Sequence, residues 1–96
     1  MKITVPKSYS VGGQEVNVRY VNNYEHLGSV ELFSGDLIIA ETYQGNIQSE
    51  TSKENTFVHE LVHSILDTMG EYDLSQNEKF VCCFAGFLLE ALKSAK

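Results

Sequence analysis

Residues 52 to 69 carry two patterns on one stretch of chain. With His59 set at zero and about 100° per residue, Phe57, Val58, Leu61, Val62, Ile65, Leu66 and Met69 fill an arc from about 160° to 340°. His63 falls at about 40°, Asp67 at about 80° and Glu60 at about 100°. An apolar arc this wide has to be covered, so it fixes the rotation of the helix. It sends two histidines, one turn apart, away from the main core and toward a cleft or solvent. Whatever else the chain builds must pack a layer against one side of this helix and leave the other side open.

The rest of the sequence supplies that layer. Gly12–Gly13 is a two-residue hairpin signal between Tyr9–Val11 and the alternating run 15–20, with Val16, Val18 and Tyr20 on one face. Thr4–Val5 is a further short extended piece. Val30–Phe33 and Leu37–Ala40 flank Ser34-Gly35-Asp36, a second turn. Leu37-Ile38-Ile39-Ala40 is apolar throughout, which predicts a strand covered on both faces. Thr51-x-x-Glu54 predicts a capping box opening the helix at Ser52, and Gly70 its C′ residue after Met69. A polar loop follows. Ser75-x-x-Glu78 predicts a second capping box and a second helix running to about Ser94. Strands followed by helices imply an α+β fold: a small antiparallel or mixed sheet, then two helices. At 96 residues the chain is read as one domain, 1–96.

Composition excludes some functions. The net charge is −6 and the seven Lys and Arg are scattered, which argues against nucleic acid as a partner. No apolar run approaches the ~20 residues of a membrane span. The N-terminus lacks the apolar core of a secretory signal, so a cytoplasmic location is expected. The two cysteines, Cys82 and Cys83, are adjacent and point about 100° apart on a helix, which excludes an ordinary disulfide between them. They are expected to be small, buried, apolar residues in a reducing compartment.

The chemistry lies in His59-Glu60-Leu61-Val62-His63. Two imidazoles at i and i+4 can meet one Zn2+ at ~2.0–2.1 Å each. Glu60 stands beside them as the residue to take a proton from a water on that metal and deliver it to a leaving amine. A catalytic zinc needs a third protein ligand, and three carboxylates are candidates. Asp67 shares the histidine face but lies too far along a straight helix to join His59 on one ion, so it is expected either to accept a histidine N–H or to be simply solvated. Glu71 sits just past the helix end. Glu78 falls near 160° on the second helix, on the inward side with Phe80, Val81, Phe84, Ala85, Phe87, Leu88, Leu89, Ala91 and Leu92. It either reaches the metal or completes the cap with Ser75.

His59-Glu60-Leu61-Val62-His63, with Glu78 on the next helix, resembles the gluzincin zinc metallopeptidases. The resemblance is greatest to small single-domain members, the phage- and prophage-associated proteins and the ImmA/IrrE-type peptidase domain. It covers roughly residues 35–92, and Phe84-Ala85-Gly86-Phe87-Leu88-Leu89 matches the family's second-helix run. Aligned strictly on that run, Phe80 rather than Glu78 would take the ligand position. Metzincins would need glycine and histidine where this chain has Leu66 and Met69, so that class is excluded.

The resemblance implies a minimal zincin-like domain, with His59, His63 and Glu78 holding zinc and Glu60 as catalytic base. It implies hydrolysis of a protein or peptide substrate lying along an edge strand, for which Leu37–Thr42 is the candidate. Tyr43 and Tyr72 are possible oxyanion donors. His26 is expected to be a surface residue. The alternative is a metal-binding regulatory or interaction protein that keeps this fold without significant turnover.

Overall fold

A computed structural model describes residues 4–96. Its elements are β1 (Ser8–Val11), β2 (Gln14–Val21), β3 (Gly28–Glu31), β4 (Asp36–Ala40), β5 (Thr42–Tyr43), β6 (Asn46–Ile47), α1 (Glu50–Met69), α2 (Tyr72–Gln76) and α3 (Glu78–Ser94). The class is α+β, as expected. The main sheet is mixed, in the order β1-β2-β4-β3, and β5-β6 form a separate two-stranded sheet.

Both expected hairpins are present. Val11 pairs with Gln14 around Gly12 and Gly13, whose φ angles of 58° and 81° meet the positive-φ requirement of a tight type I′ turn. Glu31 pairs with Asp36 across the second turn. The strand expected over Val30–Phe33 stops at Glu31, and Phe33 lies in the turn, exposed. Thr4–Val5 is not part of a strand.

The expectation that Leu37–Thr42 forms an edge is overturned. β4 pairs in parallel with β2 on one side and antiparallel with β3 on the other. The parallel β2–β4 pairing places the hairpin's first arm outermost, so β3 is the edge. The Leu37–Ala40 run is also not covered evenly. Leu37 and Ile39 are fully buried while Ile38 between them is half-buried, because the helices lie on one face.

One core joins three layers of sequence. Val16, Leu37 and Ile39 come from the sheet, Phe57, Val58, Val62 and Leu66 from α1, and Val81, Ala85 and Leu89 from α3. Apart from Ala85, each such side chain stabilises the fold by roughly 1.5–3 kcal/mol when fully buried. The apolar arc of α1 is narrower in practice than on the wheel, since Ile65 and Met69 are exposed. On α3, Phe84, Phe87 and Leu92 are likewise exposed, because α1 covers only the Val81–Ala85–Leu89 side.

The caps differ from those expected. Ser49, not Thr51, opens α1, its hydroxyl accepting from Ser52 N–H at 3.1 Å. Glu54 is buried and paired with Lys93 of α3 at 2.9 Å. Gly70 ends α1 in the left-handed conformation at φ 79°, as its C′ position predicts. The polar loop contains the short helix α2. Asn77 then caps α3, its side chain accepting from Phe80 N–H at 3.1 Å. The Ser75–Glu78 capping box is therefore absent, and both side chains are released for other contacts. Among the described residues, no helix is long and apolar enough to cross a membrane.

Candidate metal and active site

α1 and α3 pack side by side, and their facing turns bring together residues from both ends of the 59–78 stretch. His59 Nε2 lies 3.4 Å from Glu78 Oε2, and His63 Nε2 lies 3.4 Å from Glu78 Oε1. The carboxylate of Glu78 thus bridges the two imidazoles with one oxygen for each. Glu78 can do this because it is the first residue of α3, just after the Asn77 cap turns the chain back across α1.

The donor set suits a divalent metal ion. Two atoms bound to one tetrahedral ion at ~2.1 Å sit ~3.4 Å apart, the spacing of each His–Glu78 pair, but each histidine meets a different oxygen, and the group whose ligand atoms all lie within 4.8 Å of one another is His59, Glu78 and Cys82, without His63. A charge-assisted hydrogen bond would be shorter, at ~2.7–2.9 Å. Both histidines are largely buried, whereas Glu78 is 64% exposed and so reachable from solvent. Burial, and then the neighbouring His63, hold the His59 pKa below its usual value, partly offset by Glu78. That favours the neutral, metal-binding form of the ring.

The other ring nitrogens are engaged too. His63 Nδ1 lies 3.0 Å from the hydroxyl of buried Ser75. With Nδ1–H donating to Ser75, the lone pair sits on Nε2, toward Glu78. Ser75 thus takes one of the two roles expected of Asp67, which itself lines the cleft without a side-chain partner among the described residues, the solvated alternative. His59 Nδ1 lies 3.9 Å from Cys82 Sγ. Glu71 precedes α2 and is exposed, with only its backbone bonded, to Leu66 and Ser75. Phe80, the position that strict alignment on the resemblance would make a ligand, stacks on Phe84 with ring centroids 5.7 Å apart.

Glu60 is nine-tenths buried beside the two histidines and has no hydrogen-bond or ion-pair partner among the described residues. Desolvation, then the charge of Glu78, push its carboxyl up to about 7. It lines two adjoining clefts. One, of about 450 Å³, runs between β3 and α1 past Gly28, Ser29, Val30, His59, His63 and Glu78. The other, of about 410 Å³, includes Tyr43, Thr56, His59 and Cys82.

Gly28 sets the distance between β3 and α1. A Cβ there would lie 2.4 Å from Thr56 Cγ2, 2.9 Å from the Ile38 carbonyl oxygen and 3.4 Å from Glu60 Cγ. Only glycine lets the edge strand approach the helix this closely.

Tyr43 is half-buried at the second cleft, and its hydroxyl accepts from Gln44 Nε2 at 3.2 Å. Tyr72 is exposed on α2 and lines neither cleft. His26 is exposed, as expected, yet it stands at the mouth of both clefts. The expectation that Cys82 and Cys83 are buried is wrong, for both are exposed on α3. Helix α3 buries the side carrying Val81, Ala85 and Leu89, and both cysteines fall outside it. A sequence signal for Cys82 existed: it follows Glu78 by four residues, as His63 follows His59.

The chain matches no known protein family, no curated protein and no solved structure at a significant level.

Proposed function

We propose that this chain is a zinc-dependent peptidase of minimal size, with His59, His63 and Glu78 as the metal ligands and Glu60 as the general base. The observation that carries the reading is the Glu78 carboxylate placed 3.4 Å from each histidine Nε2, with buried, unpartnered Glu60 alongside. A zinc ion held by His59, His63 and Glu78 would supply Lewis acidity and would acidify water toward neutral pH. Glu60 takes the proton of the attacking water and hands it to the leaving amine. Its buried position beside the histidines places it within reach of that water.

A peptide would add as a strand to the free edge of β3, which borders the cleft opposite His59 and His63. Tyr43, at the cleft beside His59 and Glu60, is the candidate to donate to the developing oxyanion. Two free, exposed cysteines favour a reducing compartment, and we assign the cytoplasm.

The second reading is a metal-binding regulatory protein without turnover. Cys82 favours it, because a thiol within reach of His59 can complete a closed site.

Metal analysis of the purified chain, together with cleavage of a mixed peptide library, tests the proposal. One zinc per chain, with peptide cleavage lost in Glu60→Gln while zinc is retained, is the expected result. A chain that binds no zinc overturns both readings. Zinc binding without cleavage in the wild type overturns the first and leaves the second.

A further inference from the structure

Cys82 is a metal-capable side chain that the proposed chemistry leaves unused, and it is the one grouped with His59 and Glu78. It sits one helical turn after Glu78 on α3, as His63 sits one turn after His59 on α1. Ligand atoms of His59, Glu78 and Cys82 lie within 4.8 Å of one another. On a single tetrahedral ion, a thiolate and an imidazole nitrogen lie ~3.6 Å apart. The sulfur stands 3.9 Å from His59 Nδ1, whereas Glu78 faces Nε2 of the same ring, so sharing one ion requires the imidazole or the thiol side chain to turn. Both Cys82 and Glu78 are exposed, so nothing packed over them resists the side-chain rotation that brings them to one ion.

We infer that Cys82 is a further ligand of this centre, its thiolate binding the same ion as His59 and Glu78. The centre is then built from two i, i+4 pairs on facing helices, His59 with His63 and Glu78 with Cys82. The inference rests on the metal-binding reading above and adds regulation to it. Four protein ligands leave no open position, so a thiolate-bound centre rests closed, and displacement of Cys82 opens it. Binding releases the thiol proton to solvent, one per ion taken up at this ligand. Cys83 is the internal control. It points about 100° away around the helix and lines a separate apolar hollow with Phe80 and Phe84.

Cobalt(II) titration of the whole chain, followed by absorption, tests the inference without relying on activity. The wild type should show visible ligand-field bands together with a near-ultraviolet sulfur-to-cobalt charge-transfer band. Cys82→Ser should lose the charge-transfer band and keep the visible bands, whereas Cys83→Ser should keep both. Thiol labelling of the wild type gives a second readout. With a chelator present both cysteines should react, and zinc should slow Cys82 alone by about tenfold or more. Visible bands without charge transfer, or a charge-transfer band that survives Cys82→Ser, overturn the inference and leave the histidine–glutamate centre standing. No cobalt binding in any variant overturns the centre and the inference together.

Discussion

His63 and Ser75 hold each other across the α1–α2 turn, Nδ1 to Oγ at 3.0 Å, with Ser75 buried. The contact leaves His63 Nε2 free to face Glu78. A hydroxyl that holds the ring of a metal-binding histidine in place would contribute to affinity without touching the ion. Ser75→Ala should therefore weaken zinc about 10-fold, measured by competition with a chromophoric chelator. Unchanged affinity would mean that the contact does not orient the ring.

The raised carboxyl of Glu60 makes metal-free stability depend on pH. Its pKa rises from an ordinary 4.5 to about 7 in the fold. The neutral form is thus favoured by folding, so this contribution is complete below about 4.5 and is lost as pH rises through about 7. In chelator, the wild type should lose about 3 kcal/mol between these limits relative to Glu60→Gln. His59, whose pKa is lowered, acts in the opposite sense, its contribution being lost as pH falls. Comparison with Glu60→Gln isolates the carboxyl. Parallel stability curves for the two proteins would refute the assignment.

Gly28 is expected to be intolerant of even a methyl group. The added Cβ would meet Thr56 Cγ2 and the Ile38 carbonyl oxygen, and only the first can move. Gly28→Ala should cost about 1–3 kcal/mol in denaturant unfolding. Adding Thr56→Ser removes the clashing methyl and should recover part of that loss. A wild-type midpoint for Gly28→Ala would show that β3 is not pressed against α1.

Glu54 and Lys93 join α1 to α3 by a pair whose acidic partner is buried. Lys93→Met leaves a carboxylate without that cation and should destabilise by about 2 kcal/mol, whereas Glu54→Gln should cost less. Equal costs for the two substitutions would indicate that the charge of Glu54 is satisfied elsewhere.

Local patterns were readable wherever one short stretch decides the outcome. The Gly12–Gly13 turn, the Gly70 cap and the face carrying His59 and His63 depend on neighbouring residues, and the fold reproduces them. The edge strand was misassigned because strand order depends on β2 meeting β4 in parallel, and no residue in either strand announces that pairing. The second capping box failed because Asn77, two residues beyond Ser75, caps α3 instead. Ser75 and Glu78 could then reach the histidines. Cys82 was missed because hydrophobicity alone ranks cysteine as interior, while its distance from His59 is a tertiary fact.

The donor side chains, for all their separate roles, belong to one continuous piece of chain, with His59 and Cys82 only 23 positions apart. Bringing them together closes a short loop, which is fast and loses little chain entropy compared with the long-range β2–β4 pairing. An ion gripped by both helices would act on the unfolded chain as a clasp of that length, worth about 3 kcal/mol if it behaved like a covalent cross-link. Metal uptake would then belong to the birth of the fold, with the helical hairpin clasped before the sheet has found its order.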